Sequence, residues 1–215
     1  MQQDIIAVFP LPNVIFFPQT ELPFHIFEPR YCEMISDTIQ NQQLIGIFLL
    51  QPGWQDDYYG NPPIHSIGCA GEMVHVENAP EGRFNILLRG VMRVRALETV
   101  QEHPYRKVRV HVLPEIVSQG ETKFQDVKRE LIRDYKIFCR YMETDDLQAD
   151  WEFAKIVNTI ASTLSLDIDA KRGLLEENDL YNRALAVQDL LVSQVAVLKV
   201  ASRFAHLRPT DPNRN

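Results

Sequence analysis

Cys32 and His25 are the residues whose types could perform bond-making chemistry. A thiol beside an imidazole base is the pair that nucleophilic catalysis uses, and seven residues separate the two. Both lie near the start of a predicted helix in an apolar context, and such spacing is common by chance. The three cysteines include no Cys-x-x-Cys pair, and the six histidines have no zinc-binding spacing. We therefore expect no catalytic residue, no metal and no cofactor. Hydrolysis by a small enzyme is less favoured than the two binding functions considered next.

A basic stretch could instead contact phosphates. Residues 83–111 carry seven basic side chains against two acidic ones, in a chain whose net charge is −7. Alternating strands would also point such charges to water without any ligand. RNA binding is therefore the less favoured alternative function. Its candidate contacts are Arg89, Arg93, Arg95, Arg106, Lys107 and Arg109.

A third set of residues is apolar and lies in or next to a segment punctuated by four prolines. The candidate peptide-binding residues in it are Phe16, Phe17, Leu22, Phe24 and Phe27. A loop this rich in phenylalanine either fills a barrel or leaves an exposed patch, and exposed apolar patches mark interaction sites. Its extended backbone could also receive a peptide strand. The default pocket is a crevice between the two halves of the chain.

The first half of the chain must position these residues, and it is predicted to be rich in strands. Eleven of the thirteen prolines precede residue 115. The predicted strands are Ile5–Phe9, Leu44–Leu50, Ile64–Glu77, Phe84–Leu88, Val91–Val100 and Arg106–Leu113, with a short helix from Glu28 to Ile39. Because proline lacks a donor, residues 10–23 are predicted as an extended loop and not as a central strand. Gly68 and Gly71 predict a bulge or a close backbone approach, as at a barrel corner.

The second half has the period of helices. Predicted helices cover Glu121–Tyr141, Leu147–Leu164, a short stretch after the N-cap Asp167, and Leu180–Leu207. We predict an α+β protein with a β-barrel over residues 1–115, a helical bundle over 116–208 and a disordered tail over 209–215. A hinge is expected near Pro114–Gln119. With no export signal and no run of about 18 apolar residues, a cytoplasmic location without membrane contact is expected.

Two short motifs near the N-terminus are similar to a known family. Phe9–Pro18 reads FPLPNVIFFP and Leu22–Tyr31 reads LPFHIFEPRY, a pattern that resembles the opening of the Lon protease N-terminal domain. Further matching segments are Ile67-Gly68-Cys69-Ala70, Gly82–Gly90, Arg93 with Arg95, and Pro104-Tyr105. The resemblance is strong to residue 113 and looser afterwards.

The resemblance implies a PUA-like pseudo-β-barrel followed by an α-helical bundle. In that family the domain helps to bind damaged or unfolded protein substrates, while separate modules hydrolyse ATP and cut peptides. This sequence has no Gly-x-x-x-x-Gly-Lys-Ser/Thr loop, so it resembles a stand-alone form without those modules. The implied function is non-catalytic binding of unfolded or client polypeptide in protein quality control. The implied partners are that polypeptide and a protease complex.

The motif residues His25, Glu28, Pro29, Arg30 and Tyr31 are predicted to be scaffold. The guanidinium of Arg30 could tie the helix start to nearby carbonyls or to a carboxylate. Glu28 lies at the helix N-terminus, where accepting oxygens favour the free N–H groups.

Overall fold

The computed structural model describes residues 3–41, 43–148 and 150–203. The strands are β1 (Gln3–Leu11), β2 (Glu21–Ile26), β3 (Ile45–Leu49), β4 (Ile67–Ala79), β5 (Arg83–Gln101) and β6 (Lys107–Val112). The helices are α1 (Pro29–Asn41), α2 (Glu121–Met142), α3 (Phe153–Thr163), α4 (Ile168–Glu176) and α5 (Leu180–Arg203), with short 3-10 segments at Trp54–Asp57 and Pro80–Gly82. The predicted tail over 209–215 and the predicted helix end at Leu207 lie outside the described residues.

The strands form one mixed sheet that curves into a partial ring. Their order is β2-β5-β4-β3-β1-β6, and an additional pairing of β5 with β6 joins the two sides. Only β1 and β3 run parallel among these pairs. The predicted α+β class, with a pseudo-barrel followed by helices, is confirmed.

Two predicted boundaries in the β half are wrong. The end of the segment predicted as loop, from Glu21 to Pro23, is the start of β2, which tolerates Pro23 because it is an edge strand that pairs with β5 alone. The two predicted strands on either side of Gly90 are one continuous strand, β5. A Cβ on Gly90 would lie 2.2 Å from the carbonyl oxygen of Phe17, so glycine allows the segment before β2 to cross close to β5. The predicted bulge is confirmed, because the β4–β5 register shifts between Ala70 and Gly71.

The helices follow the predicted apolar periodicity. The inward stripe of α5 is buried from Leu180 to Val195, and α3 begins at Phe153, later than predicted. Asp167 caps α4 as predicted, because its Oδ1 accepts a hydrogen bond from the N–H of Ala170 at 2.8 Å. One apolar cluster joins bundle residues to Ile15, Phe17, Leu49 and Ile67 of the barrel, so the two parts share a core.

A buried ionic network also joins the two parts. Arg93 of β5 donates to main-chain carbonyls at the α4–α5 junction at 2.8–3.1 Å. Arg183 of α5 donates to Oε1 of Glu115 at 2.6 Å and to Oδ1 of Asn158 at 3.1 Å. The same carboxylate oxygen of Glu115 lies 3.6 Å from Arg93. One carboxylate therefore faces two buried guanidinium groups across the boundary between barrel and bundle.

The connecting segment predicted as a hinge is held at three points. Ile116 donates its N–H to the carbonyl of Asn178 at 3.1 Å and accepts from the N–H of Leu180 at 2.9 Å. The N–H of Ser118 donates to Oδ2 of Asp179 at 3.1 Å. These bonds and the arginine network therefore attach the segment to the start of α5.

Candidate functional site

The outward side of the sheet along β2 forms a shallow surface with apolar and imidazole groups. We call it the β2 face; its side chains are Pro23, His25, Phe27, His75, Asn85 and Leu87. The register places Pro23 beside Leu87 and Leu87 beside His75, so these three side chains cross the sheet in one row. In the next row, Nδ1 of His25 lies 2.8 Å from Oδ1 of Asn85. Between these rows lies a depression of about 320 Å³.

Phe27 is the most exposed aromatic residue of the β2 face. It directly follows β2, and 60% of it is accessible to solvent. Its ring stacks on His25 with centroids 6.2 Å apart. A ring this exposed contributes little to the core, and its free side is accessible to a ligand.

A second depression lies between the barrel and the bundle at the other end of β2. We call it the barrel–bundle groove; it encloses about 640 Å³ and is lined by Gln19, Thr20, Glu21, Arg89, Gly90, Trp151, Lys155, Thr159 and Ser162. The Nζ of Lys155 lies 3.9 Å from the centroid of the Trp151 ring, a cation–π contact. Arg89 pairs with Glu21 at 2.9 Å on the groove's barrel side. The crevice expected between the two halves is present here, and its role stays a prediction.

β2 connects the groove with the β2 face. Glu21 lines the groove, and Pro23, His25 and Phe27 follow at every second position on the outward side. The six residue steps from Glu21 to Phe27 span about 20 Å at strand geometry. That length matches an extended segment of about six residues.

The predicted peptide-binding phenylalanines separate into buried and exposed residues. The prediction that Phe16 and Phe17 contact a peptide is wrong, because both side chains are fully buried in core clusters. Leu22 and Phe24 are half-buried and pack inward from β2. Only Phe27 of these five is mostly exposed. Alternation along the segment could not reveal which of its phenylalanines face inward, because the loop before β2 folds back into the barrel.

The Glu28-Pro29-Arg30-Tyr31 motif makes internal contacts. Arg30 pairs with Glu28 at 3.0 Å and donates to the main-chain carbonyls of Tyr58 and of its neighbour at 3.2 and 3.4 Å. The hydroxyl of Tyr58 donates to Oε1 of Glu28 at 2.6 Å. Burial raises the pKa of Tyr31 to about 12, so its hydroxyl stays neutral. With Pro29 at the first position of α1, these contacts fit the predicted scaffold role.

The predicted nucleic-acid contacts do not form a free basic surface. The prediction is wrong for Arg93 and Arg106, which are only 2% and 7% accessible to solvent. Both donate hydrogen bonds to main-chain carbonyls. Arg89 pairs with Glu21, and Arg109 pairs with a glutamate at 2.7 Å. The remaining two candidates are Arg95, which is exposed, and Lys107, which lies 5.0 Å from the Tyr105 ring.

Cys32 and His25 do not act on each other. The Cys32 thiol faces the carbonyl oxygen of Ile26 at 3.8 Å, while the His25 ring meets Asn85. Partial burial raises the pKa of Cys32, which disfavours the reactive thiolate. Within residues 3–41, 43–148 and 150–203, no group of three or more His, Cys, Asp and Glu side chains could hold a metal ion.

Comparison with known proteins places the chain in a family. The family pattern of the ATP-dependent protease La (LON) substrate-binding domain matches residues 5–193. The chain belongs to this family. The resemblance of its N-terminal motifs to the Lon N-terminal domain is thereby confirmed.

Relatives and solved structures agree with this family. Lon protease 2 of Myxococcus xanthus is 23% identical over 207 residues, covering 94% of this chain and 25% of that protein. Lon protease of Flavobacterium johnsoniae is 25% identical over 193 residues, covering 84% and 23%. The chain thus spans about a quarter of the length of these relatives.

Two solved structures share the fold. A Lon N-terminal domain protein from Xanthomonas campestris superposes with a TM-score of 0.55 at 20% identity, covering 90% of this chain and 98% of that one. The N-terminal domain of a Mycobacterium avium complex Lon protease gives a TM-score of 0.63 at 17% identity, covering 88% and 98%.

The groove and the β2 face also contain residues that sequence reasoning missed. His75, Leu87, Trp151 and Lys155 are among them. Strand alternation could have placed Leu87 on the opposite side from the buried Leu88, but nothing in the sequence pairs it with Pro23. Trp151 precedes α3 and reaches the barrel only through the packing of the bundle.

Proposed function

We propose that this chain binds an extended segment of unfolded or client polypeptide along β2, without covalent chemistry. The segment would lie with one end in the barrel–bundle groove and the other on the β2 face. The observation that carries this proposal is the exposed Phe27 ring at one end of the row of outward residues from Glu21, which spans about 20 Å, the length of a six-residue strand. Membership of the Lon substrate-binding domain family supports the same conclusion.

Side-chain contacts, more than backbone pairing, would hold the segment. Pro23 removes one N–H donor from the edge strand, and this is one way in which edge strands avoid uncontrolled pairing. Phe27 and Leu87 offer apolar contacts at one end, and Trp151 offers an aromatic ring at the other. Such a site accepts many sequences, as a receptor for unfolded chains requires.

The test is a binding titration with a fluorescently labelled polypeptide that is kept unfolded by reduction and alkylation, compared with the same polypeptide in its folded, oxidised form. Binding of the unfolded form alone is expected. Phe27→Ala should weaken it about tenfold, because exposed aromatic anchors contribute on the order of 1–2 kcal/mol. The matched control is Tyr59→Ala, since Tyr59 is 85% exposed but lies in the loop after the first 3-10 segment.

Equal affinity for folded and unfolded polypeptide would reject the proposal, as would equal losses from Phe27→Ala and Tyr59→Ala. Titrations with labelled RNA and with the unfolded polypeptide at increasing salt distinguish RNA binding. Affinity for RNA should fall steeply with salt, whereas affinity for the polypeptide through apolar contacts should not weaken. The paired and buried arginines favour the second outcome.

We further propose that the chain works in the cytoplasm, in protein quality control, alone or beside a protease complex. The chain spans a quarter of its Lon relatives, so catalysis by those proteins is not carried over to it. Crosslinked co-purification from the native cells, comparing the wild-type chain with Phe27→Ala, tests this role. Loss of unfolded clients from the variant is expected, and an unchanged set of captured proteins would contradict it.

A further inference from the structure

A small cavity lies where the start of α1, the loop after the first 3-10 segment and the turn before β6 meet. We call it the Tyr31 cavity. Its volume is about 20 Å³, which is room for about one or two water-sized groups. Tyr31, Asn61, Pro104 and Arg106 form part of its wall. None of its lining residues belongs to the barrel–bundle groove or to the β2 face.

Arg106 carries a buried positive charge at this cavity, and only 7% of the residue is accessible to solvent. Its Nε donates to Oδ1 of Asn61 at 3.3 Å and its Nη2 donates to the carbonyl of Pro62 at 2.9 Å, so both partners are uncharged. In the described part of the chain, no salt bridge includes Arg106. The carboxylates of Glu102 and Asp57, which are exposed, act on it only from a greater distance. Because buried charges in proteins are normally paired, a bound anion would be stabilised here.

Arg30 strengthens the positive field at the cavity. Burial lowers the pKa of Arg106, and the nearby guanidinium of Arg30 contributes to that decrease. Arg30 also lines the cavity, but its own charge is paired with Glu28 at 3.0 Å. Arg106 is therefore the charge that an incoming anion would neutralise.

Two hydrogen-bond donors on the wall have no partner among the residues that the structure describes. They are Nη1 of Arg106 and the hydroxyl of Tyr31. The described side-chain atoms that are both unpartnered and sealed from water are Nε of Arg183 and Oε1 of Gln188, so the two donors must border open space. The Tyr31 cavity is the open space that both of their residues line. Burial raises the pKa of Tyr31 to about 12, against the opposing charges of Arg30 and Arg106, so the hydroxyl keeps its proton at neutral pH.

We propose that the Tyr31 cavity binds a carboxylate group, which accepts hydrogen bonds from Nη1 of Arg106 and from the hydroxyl of Tyr31. The two oxygens of a carboxylate can accept both bonds while its charge pairs with the buried guanidinium. The volume admits two oxygens of water size, whereas a phosphate or a sulfate would have to place four. A free carboxylic acid and a polypeptide both offer this group, and titrations with each distinguish them. The proposal does not depend on the polypeptide site along β2, because the two sites share no residue.

A ¹H–¹⁵N NMR titration with sodium acetate at pH 7 tests the proposal, with sodium chloride balancing the ionic strength. Acetate should cause saturable shifts of the backbone amides of Tyr31, Asn61 and Arg106, with a Kd on the order of 1 mM. Tyr31→Phe should raise this Kd about tenfold, because it removes one hydrogen bond to a charged group. The matched control is Tyr105→Phe. Tyr105 also lines the cavity, but its hydroxyl donates to Oδ2 of Asp37 at 2.7 Å, so this variant should leave the Kd unchanged.

A hexapeptide without acidic side chains, with a free or an amidated C-terminus, identifies the source of the carboxylate. If the free form shifts the same amides with a Kd about tenfold below that of acetate, the ligand is a polypeptide C-terminus. Equal affinity of the free peptide and acetate assigns the site to free carboxylic acids. Equal binding of the amidated peptide at these amides would overturn the proposal.

Three other results would also overturn it. One is the lack of saturable shifts with acetate up to about 100 mM. Another is a Kd that Tyr31→Phe changes no more than Tyr105→Phe does. The third is sodium phosphate that shifts the same amides with equal or higher affinity than acetate. None of these results bears on the polypeptide site, whose test depends on Phe27.

Discussion

Replacing Glu115 with glutamine should destabilise the whole chain more than its partial exposure suggests. Its carboxylate faces Arg93 and Arg183, whose side chains are 2% and 0% exposed, while its own is 29% exposed. Burial and the neighbouring Arg183 lower the pKa of Arg93, and the charge of Glu115 opposes that shift. Removing the charge leaves two buried guanidinium groups whose remaining hydrogen-bond partners are all uncharged carbonyl and amide oxygens.

The expected loss follows from the cost of breaking a buried ion pair, about 3–5 kcal/mol. Glutamine can still accept a hydrogen bond, and Arg93 keeps its carbonyl partners, so we expect Glu115→Gln to cost about 2–3 kcal/mol of unfolding free energy. For a chain of this size that corresponds to a fall in Tm of about 4–12 °C. Urea denaturation measures the loss. The fluorescence of Trp54 reports on the barrel and that of Trp151 on the bundle, if each is isolated by replacing the other with phenylalanine.

Glu21→Gln is the matched control, because the Glu21–Arg89 pair is about half exposed on both sides. Exposed pairs contribute at most about 1 kcal/mol. If Glu115→Gln costs no more than Glu21→Gln, the buried network does not stabilise the junction between barrel and bundle. In the wild type both tryptophans should report one coincident transition, and the variant should separate them if the network couples the two parts.

Three further predictions test other features of the fold. Phe17→Ala should cost about 3–5 kcal/mol in urea unfolding, because the ring is fully buried in the shared core, whereas Phe27→Ala should stay within about 0.5 kcal/mol; equal losses would contradict the assignment of inner and outer rings. Gly90→Ala should cost about 1–3 kcal/mol, since its Cβ would meet the Phe17 carbonyl, and an unchanged midpoint would mean that β5 shifts freely. Hydrogen bonds from Ser118 and the start of α5 lower the pKa of Asp179, so the carboxylate stabilises the fold above its unfolded-state pKa and this stabilisation is lost as pH falls through the folded-state pKa. The difference in urea midpoint between wild type and Asp179→Asn should therefore shrink from pH 7 to pH 3. A difference that stays constant over this pH range would contradict the prediction.

Local signals in the sequence were sufficient for most elements. The unbroken apolar run of Leu44–Leu50 is a strand buried along its whole length, β3. The helical stripe from Leu180 identified α5, and Asp167 caps α4 as its residue type indicates. These features depend on neighbouring residues, so periodicity and capping chemistry determine them.

The candidate site was predicted only in part, because it depends on contacts between distant residues. The sequence singled out the proline-punctuated segment, but that segment holds core rings and part of an edge strand together. Phe17 and Phe27 are chemically identical and ten residues apart, yet one fills the shared core and the other is exposed. Likewise, Arg93 and Arg95 belong to one strand, but only Arg93 turns inward to the bundle.

By itself the sequence determined the class of the fold, the order of its elements and the family resemblance, because these reside in local patterning and in short motifs. The tertiary structure decided which face of each element is buried, how β5 pairs with three strands, and where the bundle meets the barrel. The physical reason is that alternation defines two faces of a strand without saying which one the rest of the chain will cover. That choice is made by long-range packing, and it leaves Phe27 and the outer side of α5 accessible.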